Sequence, residues 1–202
     1  MSLKVFYEIE RKFLLKNDTW RNEVSEKYQI TQGYLANISK KTIRVRKRIG
    51  SLTEYFLTIK VATDTMGKNI EIEKLITEIQ YETLLSKHFN KINLLDSIVE
   101  EQGEDWEKLE FKKIKENITS EESAELDLSC TKIIRKIRYI IIRGDLKWEI
   151  DEFIDHNKGL IMAEVEIKKK KQKVEIPEWI GEEVTEDKRY YNNYLSVHKI
   201  VA

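Results

Sequence analysis

Residues 7–15 read Tyr7-Glu8-Ile9-Glu10-Arg11-Lys12-Phe13-Leu14-Leu15, a stretch of period two. Successive side chains of a strand point to opposite faces, so Glu8, Glu10 and Lys12 share one face. The same pattern returns along the chain. Arg44 and Arg46 share a face, with Ile43 and Val45 opposite. Thr58 and Lys60 alternate with Leu57 and Ile59, and Glu71 and Glu73 with Ile70 and Ile72. Lys136 and Arg138, Glu149 and Asp151, and Glu164 and Glu166 repeat the arrangement. A sheet with one wet face accounts for any single pair. It does not account for several faces that each carry two charges of one sign. Paired carboxylates repel unless cations lie between them, and paired arginines call for an anion. Closing the sheet with this face inward gives a tunnel lined by both signs.

Outward from these pairs, period-two patterning predicts strands over 7–15, 27–36, 41–49, 54–61, 69–75, 132–143, 146–153 and 160–169. Helical spacing interrupts them. Asp18 is placed to cap a short helix through Val24, and Thr77 to Phe89 reads as a second. Asp96 to Lys115 and Ser120 to Leu128 give further helices, and Asp187 to His198 a last one. Strands before and after a helical middle predict an α+β chain with a large antiparallel sheet or barrel.

Composition bounds the rest. The chain has 202 residues, 36 Lys+Arg and 36 Asp+Glu, so its formal net charge is zero. Length suits one domain, 1–202, and the patterned 41% of hydrophobic residues argue against disorder. The charge balance argues against a nucleic-acid-coating protein while leaving room for a local anion site. Cys130 stands alone, which excludes an internal disulfide framework and a multi-cysteine zinc site. No apolar run is long enough to span a membrane and no secretory segment is evident, so a soluble cytoplasmic protein is expected. His88, His156 and His198 are widely separated and are expected at the surface or at helix ends. Trp148 and Trp179 are expected to pack against helices.

Grouped carboxylates without a Cys or His cluster suit a hard divalent ion, Mg²⁺ or Mn²⁺. Clustered Arg and Lys suit phosphate oxygens. Together they point to a metal-bound polyphosphate, whose chemistry needs positioning and charge neutralisation.

Glu8-Ile9-Glu10-Arg11-Lys12 resembles the ExExK signature of the CYTH superfamily, the triphosphate tunnel metalloenzymes. The resemblance runs on through Gln32-Gly33-Tyr34-Leu35, Arg44-Val45-Arg46, Leu57-Thr58-Ile59-Lys60 and Glu71-Ile72-Glu73. It continues through Lys136-Ile137-Arg138-Tyr139, Trp148-Glu149-Ile150-Asp151 and Ala163-Glu164-Val165-Glu166. Glu183-Val184-Thr185 and Asp187-Lys188-Arg189-Tyr190 complete it. It implies a closed antiparallel eight-stranded β-barrel with surrounding helices. It also implies that Lys12, Arg44, Arg46, Lys60, Lys136 and Arg138 hold triphosphate oxygens. Glu8, Glu10, Glu164 and Glu166 are implied as metal ligands. Glu71, Glu73, Glu149 and Asp151 are implied as catalytic groups that position water or hold a second metal. The terminal helix is expected to shape one tunnel mouth, with Lys188 or Arg189 reaching inward.

The activity implied is metal-dependent hydrolysis of a triphosphate, inorganic tripolyphosphate first. A class IV-like adenylate cyclase and a non-catalytic polyphosphate- or nucleotide-binding module are the alternatives. The partner implied is a small triphosphate-bearing molecule, with no nucleic acid and no membrane. Three departures from the family pattern stand out. Residues 96–130 read as a helical insertion, whose open roles are covering a tunnel mouth, mediating a homodimer or decorating the surface. Asn69 stands where members carry arginine. Asp155-His156-Asn157 occupies a turn where members carry glycine.

Overall fold

The computed structural model describes residues 4–38, 41–62, 68–86, 132–169 and 171–200. The strands among them are β1 (Lys4–Leu15), β2 (Glu26–Ile38), β3 (Lys41–Ile49), β4 (Thr53–Ala62) and β5 (Lys68–Ile76). They continue with β6 (Lys132–Arg143), β7 (Leu146–Phe153), β8 (Ile161–Glu166) and β9 (Ile180–Glu183). Hydrogen-bonded neighbours run β5-β4-β3-β2-β6-β7-β8-β1, and β1 also pairs with β5. That last pairing closes an antiparallel barrel of eight strands, as the alternation and the resemblance imply. The short β9 lies along the end of β1, Phe13 opposite Glu183 and Leu15 opposite Ile180. Four residues are too few for a period, so β9 has no signature in the sequence.

Alternation sorts the side chains into an apolar outer layer and a charged lining. Outside β2–β5, Leu35, Ile43, Val45, Leu57, Ile59 and Ile72 are buried beneath Tyr81 and Leu84. Those two belong to α1 (Glu78–Leu85). Thr77 and Gln80 start this helix with a reciprocal cap: Gln80 N–H donates to Thr77 Oγ1 at 3.2 Å, and Thr77 N–H donates to Gln80 Oε1 at 2.9 Å. Outside β1 and β6–β8, Phe13, Trp148, Ile150 and Val165 pack beneath Trp20, Val174, Trp179 and Ile180. The cover here is a 3₁₀ turn (Thr19–Glu23), an irregular segment and β9, rather than the helices expected. Trp148 meets Trp179 edge to face, with ring centroids 5.4 Å apart.

Local chemistry explains the other differences. Asp18 makes no capping hydrogen bond, and Asn17 Oδ1 instead accepts from Thr19 N–H, so the first predicted helix is only the 3₁₀ turn. The predicted last helix is a 3₁₀ turn (Lys188–Tyr190) followed by α2 (Asn192–Leu195). Tyr191, extended at φ −79° and ψ 136°, separates them. The strand predicted over 160–169 stops at Glu166. The predicted insertion over 96–130, with Cys130, lies outside the described residues, as does His88.

Candidate functional site

The lining is built from pairs that the register sets side by side. Lys12 of β1 faces Glu164 of β8, which faces Glu149 of β7. Glu10 faces Glu166. Arg138 faces Asp151, Lys60 faces Glu71, and Thr58 lies between Arg44 and Glu73. Fourteen of the sequence-predicted residues therefore line one barrel interior, and Lys188 and Arg189 do not join them. Both are exposed, and Arg189 closes on Asp187 at 2.6 Å.

Ion pairs tie the lining into one network. Lys60 bonds Glu8 and reaches Glu71 at 3.2 Å and Glu10 at 3.6 Å. Arg44 stands 3.7 Å from Glu71. Lys12 lies 2.8 Å from Glu10 and also bonds Glu164. Glu164 in turn accepts from Arg138 at 3.0 Å. Arg138 makes a bidentate pair with Asp151, at 2.7 and 2.6 Å, and bonds Glu149 as well. Lys136 and Asp151 meet at 2.5 Å with side chains 1% and 0% exposed.

Burial makes this arrangement electrostatically uneven. Burial, with Glu10 and Glu71 close by, raises Glu8 to about 8 even though Lys60 pulls the other way. Partial burial, together with Glu149 and Glu10, also raises Glu166 against the pull of Lys147, although its side chain is 56% exposed. Burial would raise Glu71 too, but Arg44 and Lys60 outweigh it and hold it down at about 2. Glu149 falls to about 2 because Arg138 and Lys147 overcome its burial. Among the cations, burial pulls Lys136 down to about 8, with Asp151 opposing and Arg138 adding to the fall. Burial, then Arg44 and Arg138, pull Arg46 down to about 10.

Two kinds of unfinished bonding remain. The Nε groups of Arg44 and Arg46 are buried without a hydrogen-bond partner, as is Gln32 Oε1. A buried unmet donor is costly, and two on neighbouring cations mark a place for acceptor oxygens. Beside these arginines, carboxylates crowd one another at Glu8, Glu10 and Glu71. Among the described residues no three acidic, histidine or cysteine side chains form a ready metal cage. Lys12 and Lys60 already sit on the carboxylates that would make one.

Beyond the charges the interior turns apolar. Tyr34, Ile134, Phe153, Leu160 and Met162 form a buried cluster with Leu195 of α2, and Leu14 packs against it. Alternation puts Leu14, Ile134, Phe153 and Met162 on the same face as Lys12, Lys136, Asp151 and Glu164. The C-terminal segment thus stoppers the lining at this end, and Asn192 Oδ1 accepts from Lys136 Nζ at 3.3 Å.

Sequence reasoning misses three members of the lining. Lys147 shares the inward face of β7 and lies 2.7 Å from Glu149 and 3.9 Å from Glu166. Its position two before Glu149 was legible from the alternation. Gln32 donates to the Tyr34 hydroxyl at 2.9 Å, two inward positions along β2. Asn192 has no periodic signal, because it enters from a different segment.

Comparison with known proteins gives concordant results. A CYTH domain family model matches residues 7–195. A protein of Acetivibrio thermocellus described as an inorganic triphosphatase is 30% identical over 189 residues, covering 93% of this chain and 92% of that protein. One of Nitrosomonas europaea with the same description is 29% identical over 194 residues, covering 94% and 97%. A crystal structure described as an inorganic triphosphatase matches with TM-score 0.50 at 28% identity, covering 95% of each chain.

Proposed function

The chain belongs to the CYTH domain family, and from that premise we propose that it hydrolyses a phosphoanhydride bond of a triphosphate inside the barrel. Inorganic tripolyphosphate is the substrate that its relatives' description favours. One observation carries the reading: the buried, unbonded Nε groups of Arg44 and Arg46 share one lining with crowded carboxylates. An anion with many oxygens satisfies the first, and a cation relieves the second.

Arg44, Arg46, Lys60, Lys12, Lys136 and Arg138 hold the phosphate oxygens in this reading. Their charges meet the negative charge that spreads over the transferred group. The carboxylates are hard oxygen donors and fit a divalent ion, Mg²⁺ or Mn²⁺. Glu8, Glu10, Glu164 and Glu166 would hold it. Such an ion, when bound, neutralises phosphate charge and acidifies water. Glu71, Glu73, Glu149 and Asp151 orient the attacking water or steady the cations. The apolar stopper keeps other water from that end of the lining and strengthens every charge interaction there.

The test is product identification. The protein is incubated with Mg²⁺ or Mn²⁺ and, in turn, tripolyphosphate, ATP and thiamine triphosphate. Orthophosphate with pyrophosphate from tripolyphosphate is expected. Cyclic AMP with pyrophosphate from ATP, or tight binding without turnover, overturns the assignment.

A further inference from the structure

The turn after β7 holds a group that the hydrolytic reading does not use. Asp155 adopts φ +59°, in the left-handed region where glycine is usual, and Arg135 anchors its carboxylate at 2.8 Å. The chain then turns Asn157 inward, where it is 2% exposed. Its side-chain amide donates to Leu195 C=O at 2.7 Å, and its Oδ1 accepts from Ile200 N–H at 3.1 Å. His156 Nε2 meets the same Leu195 carbonyl at 2.7 Å. Leu195 ends α2, and the last carbonyls of a helix have no partner within it. A side chain 38 residues away in sequence supplies the missing bond. The Leu195 side chain is fully buried in the apolar stopper, and Asn192, at the first position of α2, touches Lys136.

We propose that Asn157 is a positioning residue: it latches the C-terminal segment so that Asn192 and Leu195 hold Lys136 at the closed end of the tunnel. The claim rests on Lys136 being a phosphate-holding group, as read above. Among the described residues, Asn157 hydrogen-bonds to Leu195, Ile200 and Leu160 and not to a lining charge. It acts through α2, whose two ends it and Lys136 engage. The short helix has four residues, too few to hold its own place without such an anchor.

Three substitutions in the full chain, two of them also combined, test this. Asn157→Ala should lower tripolyphosphate turnover with Mg²⁺ by about tenfold, the scale of a lost buried hydrogen bond. Hydrogen exchange should accelerate across 192–200 while the barrel strands stay protected. Asn192→Ala removes only the contact with Lys136. It should reproduce the loss of turnover with residues 195–200 still protected. In a Lys136→Met background, Asn157→Ala should add no further loss, because interactions acting through one group are not additive. Losses that multiply in the double variant, or a silent Asn192→Ala, overturn the proposal and leave Asn157 a purely structural residue. The exchange measurement needs no substrate. If the wild type fails to hydrolyse tripolyphosphate while the latch responds, the functional reading has failed and the anchoring has not.

Discussion

At Arg46 a guanidinium is buried with an unbonded Nε, and two further arginines lower its proton affinity. Such a side chain weakens the empty barrel and earns its place only when an anion arrives. Arg46→Ala should therefore weaken tripolyphosphate binding by about tenfold to a hundredfold, the range for a lost bond to a charged group. The melting temperature of the ligand-free protein should not fall. Titration calorimetry and thermal unfolding check the two halves, and an unaltered affinity sinks the role. Glu8 makes the complementary case. Burial, then Glu10 and Glu71, raise it to about 8, so the folded state holds a proton there that the unfolded state releases. The stability this supplies is whole below the ordinary carboxylate range and is lost as pH climbs through about 8. Metal-free protein should thus melt progressively lower from about pH 5 to about pH 8, a decline that Glu8→Gln flattens. A slope that persists in the variant contradicts the assignment.

For single elements the question is what holds each in place. The reciprocal cap makes Thr77 the start of α1, which covers the outer face of β2–β5. Thr77→Ala should cost about 1 kcal/mol of stability and leave turnover unchanged, measurable by denaturant unfolding beside a steady-state assay. Elements such as β3, β4 and β7 were legible in the sequence to within a residue at either end. There a buried outer face and a charged inner face enforce strict alternation. Legibility failed where no such constraint acts. β9 is four residues long, and Tyr191 breaks a helix whose composition gives no sign of the break. The charged pairs of the lining were legible from strand parity, and the ExExK resemblance implied their chemistry, whereas Asn192 enters from a segment with no such period. Lys188 and Arg189 are exposed instead, and the pairing of Arg189 with Asp187 is set only once the turn is folded. Asn157 was hidden for a related reason: its partners lie on a segment far along the chain.

In the whole molecule, the 36 basic and 36 acidic residues cancel in sum but not in place. The lining joins cations and carboxylates through shared partners, Glu164 between Lys12 and Arg138 and Glu71 between Arg44 and Lys60. Ligands that complete both halves bind only the folded state and stabilise it by mass action. Tripolyphosphate with a divalent ion should raise the melting temperature by more than the two separate shifts together, read by scanning calorimetry. A merely additive response would count against a shared site. The closure of the barrel has a further consequence, in the order of synthesis. β1 pairs with β5, β8 and β9, so it finds its last partners only when residues 161–183 have been made. At about 5–20 residues per second, roughly 7 to 35 seconds of translation separate the two. Throughout that interval one edge of the nascent sheet stays open to chaperones and to other chains.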